Sequence, residues 1–93
     1  MDFEWDDEKD ASNRNKHGVS FEEAMTVFDD PYELTIADPH HSTLEDRFVS
    51  IGYSSAGRLL AVGYTDREGR VRIINAREAT PRERTQYESR RIL

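Results

Sequence analysis

A chain of 93 residues suits a single domain spanning 1–93, with one sheet and a few helices but no second core. It lacks cysteine, which excludes disulfides and thiolate chemistry, and no apolar run approaches the roughly 20 residues of a membrane span. The net charge is −6, and Leu, Ile, Val and Phe total only 19 residues, so the core is small and a permanent partner is in keeping with it.

The acidic N-terminus is unlike a signal peptide, and a cytoplasmic protein with no membrane contact is expected. Phe3 and Trp5 alternate with acids and predict a short strand with both rings on one face. Asp6 suits a helix N-cap, with Asp7 and Glu8 in the first turn, where anions favour the helix dipole. The helix runs to about His17. Gly18 is a natural terminator, and Lys16 and His17 fall in the last turn, where cations are favoured. Ser20 and Glu23 form a capping box that opens a second helix. Its apolar stripe is Phe21, Ala24, Met25 and Phe28. Asp29-Asp30-Pro31 ends it, because the residue before proline avoids helical angles.

From there the chain reads as strands. Leu34 and Ile36 alternate in a short run. Asp38 to Glu45 is a loop carrying Pro39, His40 and His41. Arg47 to Tyr53 alternates Val49, Ile51 and Tyr53 against Phe48, Ser50 and Gly52. A turn at Ser54–Gly57 leads to Leu59–Tyr64, with Leu60, Val62 and Tyr64 on one face. Asp66 to Gly69 is a tight connection, with Gly69 suited to positive φ. Val71 to Arg77 is the last strand. Short connections make an antiparallel meander the natural topology. Thr80 caps a closing helix to about Arg91, with Pro81 at its first position and Glu83 completing a second capping box. The fold class is α+β: a small antiparallel sheet of about four strands plus the short N-terminal one, two N-terminal helices and one C-terminal helix.

Charge is unevenly spread. Residues 1–46 carry a net −11, residues 47–69 a net +1 and residues 70–93 a net +4. The basic end fits a nucleic acid or an acidic partner; it also fits internal neutralisation by the acidic half. Arg72 and Arg77 stand an odd number of positions apart, so they share a face only if the strand bulges or ends between them. Arginine's planar fork suits phosphate, and Arg47 on a neighbouring strand adds to the set. Lys16 and His17 are either a helix C-terminal pair or, through the imidazole, a proton-transfer group. Tyr87 is either a core contact or a polar tip in a site. Adjacent His40 and His41 point different ways, with no third ligand at a recognisable spacing, so a solvated loop outweighs a metal site. Gly-rich phosphate loops, nucleophile elbows and metalloprotease motifs are absent.

Three stretches, FEWDDEKDASNRNKHGVSFEEAMTVFDDP, DRFVSIGYSSAGRLLAVGYT and RVRIINAREATPRERTQYE, together resemble the BrnT family of bacterial toxins over nearly the whole chain. The Lys16–Phe21 junction and the Arg72–Arg77 strand are the most specific pieces. The chain departs from the family by carrying Asn75 where serine is usual. The resemblance implies a RelE-like ribonuclease fold and the toxin half of a type II toxin–antitoxin pair. It further implies RNA cleavage that arrests translation, without cofactor or metal. The implied partner is a BrnA-like ribbon-helix-helix antitoxin that binds DNA, and the complex of the two represses its own operon. Among site candidates Arg77 ranks first, then Arg72 and Arg47, with His17, Lys16 and Tyr87 for proton transfer or positioning. The competing readings are a non-catalytic module that binds RNA or protein through the basic C-terminal face, and a metal-dependent hydrolase built on His40 and His41.

Overall fold

The protein, described by a computed structural model over residues 1–38 and 46–92, builds one sheet with helices on both faces. Its five described strands are β1 (Asp2–Glu4), β2 (Leu34–Ala37), β3 (Arg47–Tyr53), β4 (Leu59–Arg67) and β5 (Arg70–Glu78), in the order β1-β5-β4-β3-β2. The helices are α1 (Asp7–His17), α2 (Phe21–Met25) and α3 (Pro81–Ile92). No helix among the described residues is long and apolar enough to cross a membrane.

Strands β2 to β5 form the expected antiparallel meander. The first strand departs from it. β1 runs parallel to β5, with Phe3 opposite Val71, so the sheet is mixed rather than antiparallel. The reason is connectivity. Hairpin logic governs strands joined by short turns, whereas nearly the whole chain separates β1 from β5. The tight connection between β4 and β5 is as the sequence implies: Glu68 and Gly69 both take positive φ, 52° and 82°, the geometry of a two-residue hairpin turn.

Each face of the sheet carries its own core. On one, Phe21, Ala24 and Val27 meet Leu60, Val62, Val71 and Ile73. Phe3, Phe28 and Tyr64 extend this layer, with Phe28 edge-on to Tyr64 at 5.1 Å between ring centres. On the other face, Ile51, Leu59, Ala61 and Tyr87 form a smaller cluster under α3. In the apolar stripe of the second helix Phe21 and Ala24 are fully buried and Met25 and Phe28 partly so, but the helix itself is shorter. It ends at Met25 and tightens into a 3-10 turn over Thr26–Asp29. There Thr26 Oγ1 donates to the Glu23 carbonyl at 2.6 Å and accepts from Ser55 N–H at 2.8 Å. A mid-helix hydroxyl that bonds back to the preceding turn and out to a loop competes with the α ladder.

Helix α1 is polar, and its one buried residue is Asn13. Asn13 Nδ2 donates to the carbonyls of Val19 and Ala76, both at 2.8 Å, and its Oδ1 accepts from Ala76 N–H at 3.1 Å. The side chain thus imitates a neighbouring strand for β5, which β1 covers only from Arg70 to Arg72. This contact holds α1 at the sheet edge. Asn13→Ala leaves those backbone groups buried and unpaired, and is expected to cost about 1–3 kcal/mol, read as a lower urea midpoint.

Candidate functional site

Residues opposite one another on neighbouring strands point to the same side of a sheet. That rule arranges the face under α3 in three rows across β3, β4 and β5: Ile51–Ala61–Arg77, Val49–Gly63–Asn75 and Arg47–Thr65–Arg72. Arg77 and Arg72 share this face because β5 bulges. Gly63 pairs with Asn75 and the next residue, Tyr64, with Ile73, so Ile74 is the extra residue that restores the parity. Helix α3 covers the first row through Tyr87. The second row, with only a glycine at its centre, is the floor of a cleft.

Helix α1 supplies the rim. Asp6 caps its start, accepting from Glu8 N–H at 2.8 Å, and Gly18 ends it in the left-handed conformation, φ 69°. The termination leaves Lys16 and His17 beside Ile74 and Asn75 at the open edge of β5. The junction is clamped from below. Arg58 Nε donates to Glu23 at 3.0 Å, its Nη2 donates to both Glu23 and the Gly18 carbonyl, and Ser54 Oγ donates to Glu23 at 2.7 Å. Glu23 was expected to reach back to Ser20. Instead Ser20 caps Glu23 N–H at 3.0 Å while the carboxylate turns to Arg58. The guanidinium holds this carboxyl below its ordinary range.

The resulting cleft has a volume of about 390 Å³, within the range of small-ligand sites. Lys16, His17, Arg47 and Arg77 line it, with Asp38 as the one carboxylate among its described lining residues. Phe48 and Tyr64 also border it, but their rings stack toward the opposite face, 5.5 Å apart. Four of the six residues singled out from the sequence therefore meet in one place, although their sequence positions span from 16 to 77.

The other two are placed differently. Arg72 lies in the third row but pairs with Glu4 of β1 at 3.1 Å, outside the residues lining the cleft. Beside it, Thr65 Oγ1 is buried and has no hydrogen-bond partner among the described residues. Tyr87 is 1% exposed and is the core contact of the two options. Its hydroxyl donates to Asp30 Oδ2 at 2.6 Å and its ring meets Tyr53 edge-on at 5.5 Å. His40 and His41 lie outside the described residues.

Arg77 is held by a two-point contact. Its Nη1 and Nη2 donate to Glu83 Oε1 and Oε2 at 2.7 and 3.0 Å. Glu83 also completes the capping box of α3, accepting from Thr80 N–H at 2.9 Å while Thr80 Oγ1 accepts from Glu83 N–H at 3.2 Å. One carboxylate thus starts the helix and aims the arginine. Hydrogen bonding to Arg77 pulls the Glu83 pKa down and raises that of Arg77. A carboxyl with a depressed folded pKa stabilises the fold above its unfolded value, about 4.3. That stabilisation is lost as pH falls through the lower folded value. Glu83→Gln keeps an acceptor for the cap and removes the charge. The gap in denaturation midpoint between wild type and Glu83→Gln is therefore expected to be widest near neutrality and to close as pH falls from about 5 toward 3.

Sequence reasoning passed over the Gly63–Asn75 pair as part of the site. A β-carbon at Gly63 would stand 2.6 Å from Asn75 Oδ1. The available signal was the glycine itself, since a lone glycine within a strand marks a close approach.

A mixed five-stranded sheet with helices on both faces and a cation-lined cleft on one of them defines a small α+β protein. The chain belongs to the family described as the ribonuclease toxin, BrnT, of type II toxin–antitoxin systems, whose model it matches over residues 5–83. Such a toxin has an antitoxin as its partner. The crystal structure of the Brucella abortus ribonuclease toxin, BrnT, shares the fold, with a TM-score of 0.63 over 86% of this chain and 97% of that chain at 24% identity. No curated protein matches this chain in sequence.

Proposed function

We propose that the protein is a metal-independent endoribonuclease, RelE-like in relying on basic side chains. It would arrest translation in the cytoplasm by cutting RNA and be neutralised by a BrnA-like ribbon-helix-helix antitoxin, with DNA reached only through that complex. Family membership supports the ribonuclease class. The observation that carries the chemistry is the convergence of Arg47, Arg77, Lys16 and His17 on one cleft.

Cleavage starts when the RNA 2′-hydroxyl loses its proton and attacks the adjacent phosphorus. The O2′–P bond forms, negative charge builds on the phosphorane oxygens, and the P–O5′ bond breaks as O5′ takes a proton. The products are a 2′,3′-cyclic phosphate and a 5′-hydroxyl. Arg77 faces this cleft with its fork fixed by Glu83, so it stabilises the phosphorane without reorganising. Arg47, from the row on the other side of Gly63, adds charge from the opposite wall. Together they provide what a divalent ion would otherwise provide. His17 and Lys16 stand at the rim, within the same cleft, to move the protons. In this reading Arg72 and Tyr87 serve the fold, the first by tying β1 to β5 and the second by anchoring α3.

Incubating the purified protein with single-stranded RNA in excess EDTA tests the proposal. Discrete fragments are expected. Binding without cleavage would instead identify a non-catalytic module, and activity lost in EDTA would identify a metal-dependent hydrolase.

A further inference from the structure

We infer that Asn75 is a specificity-determining residue of this cleft, one that reads a nucleobase beside the phosphate held by the arginines. The inference rests on the ribonuclease reading for its substrate class, and on three features of the site for its residue.

The first is position. Asn75 sits in the middle row, with Arg77 in the row on one side and Arg47 in the row on the other. A phosphate drawn to those guanidinium groups leaves its attached nucleoside over the row between them. The second is the seat. The bulge at Ile74 returns Asn75 to this face, and Gly63 opposite it carries no side chain. The carboxamide occupies the space that a β-carbon at Gly63 would need, 2.6 Å from Oδ1 and 3.1 Å from Nδ2. It therefore lies over Gly63 on the cleft floor while staying exposed to an incoming ligand. The third is free hydrogen-bonding capacity. The exposed Asn75 side chain enters no hydrogen bond among the described residues, whereas Asn13, the buried asparagine facing β5, uses both ends of its amide.

The chemistry of the group decides what it reads. A phosphate only accepts hydrogen bonds, and the cleft already offers two arginines and a lysine for that purpose. A carboxamide offers a donor and an acceptor side by side. The complementary surface is the edge of a nucleobase, where amino, carbonyl and ring-nitrogen groups stand adjacent and differ between bases. Unpaired bases of single-stranded RNA expose those edges. With the aromatic rings of Phe48 and Tyr64 turned to the other face, the floor gives a base little to stack on, and selectivity falls to the amide.

The test measures binding of the four nucleoside 3′-monophosphates (adenosine, guanosine, cytidine and uridine) to wild type, Asn75→Ala and Gly63→Ala by calorimetry or NMR titration. Far-UV circular dichroism confirms that each variant is folded. Wild type is expected to prefer one nucleotide over the weakest by about tenfold, as a two-point amide contact gives. Asn75→Ala should flatten that preference to within about twofold while still binding all four through the arginines. Gly63→Ala, which pushes the carboxamide off its seat, should flatten it as well. Equal binding of the four by wild type, no binding at all, or a preference that survives Asn75→Ala would each overturn the inference. The cleavage assay in EDTA is scored separately. Cleavage with no base preference removes the role of Asn75 and leaves the ribonuclease standing. Base preference without cleavage keeps Asn75 as a reader and removes the chemistry.

Discussion

Arg77→Ala is expected to reduce RNA cleavage by about 10²–10³-fold, the size of loss seen when one preorganised charge donor is removed from a reacting centre. Growth arrest on expression should disappear with it. The protein should stay folded, because the Arg77 side chain is 38% exposed and its ion pair with Glu83 contributes at most about 1 kcal/mol at such a site. Glu83 keeps its bonds with Thr80 in the variant, so the start of α3 survives. Arg77→Lys is the sharper control. It keeps the charge but cannot make the two-point contact that aims the group, and an activity between wild type and alanine is expected. Single-turnover cleavage rates, with far-UV circular dichroism to confirm folding, check all three proteins. An alanine variant that folds and cleaves at the wild-type rate removes Arg77 from the chemistry.

The second large effect is on stability. Tyr87→Ala should cost about 3–5 kcal/mol, as truncation of a buried aromatic does, against a total of roughly 5–15 kcal/mol for a whole domain. Tyr87 is the one buried residue among the described side chains of α3. Its hydroxyl ends on Asp30 Oδ2, which also accepts from Tyr53 N–H at 2.8 Å. Asp30 Oδ1 meanwhile accepts from Tyr32 N–H at 2.8 Å. One tyrosine therefore joins α3, the turn after the 3-10 segment and the end of β3. Tyr87→Phe keeps the ring and drops only the bond to the carboxylate, for an expected loss of about 1.5–3 kcal/mol. Urea midpoints rank the three proteins. If Tyr87→Phe is as stable as wild type yet loses cleavage, the hydroxyl belongs to the site and not to the fold.

What the sequence made legible was local. The Asp6 cap, the Gly18 terminator and the Thr80–Glu83 box each depend on residues within a few positions, and each is present. The meander from β2 to β5 follows from short connections. The rest depends on partners far along the chain. The pairing of Phe3 with Val71 sets β1 parallel, and no neighbouring residue announces it. Glu23 has the spacing of a capping box with Ser20, but Arg58 wins it, since a charge-assisted pair outweighs a backbone N–H. Alternation alone set Arg72 and Arg77 on opposite faces. A single extra residue at Ile74 overrides that, and whether a strand bulges depends on its neighbour's register. Arg72 ranked directly after Arg77 in sequence. It differs because β1 places Glu4 beside it, whereas Arg77 is held by Glu83 of α3 at the border of the cleft. Arg47 and Arg77 were legible as residue types suited to phosphate, and Lys16 and His17 as a helix-end pair or a proton-transfer group. Their convergence required the edge contact of Asn13 with Ala76.

The account stands or falls on whether this cleft uses the 2′-hydroxyl of RNA. The direct measurement maps a cleavage site in a short RNA, then repeats the reaction in EDTA on the same strand with one 2′-deoxy nucleotide at that site. The account predicts cutting of the all-ribose strand to a 2′,3′-cyclic phosphate and a 5′-hydroxyl, and no cutting at the 2′-deoxy position. Cleavage that persists there, or that yields other ends, would contradict it.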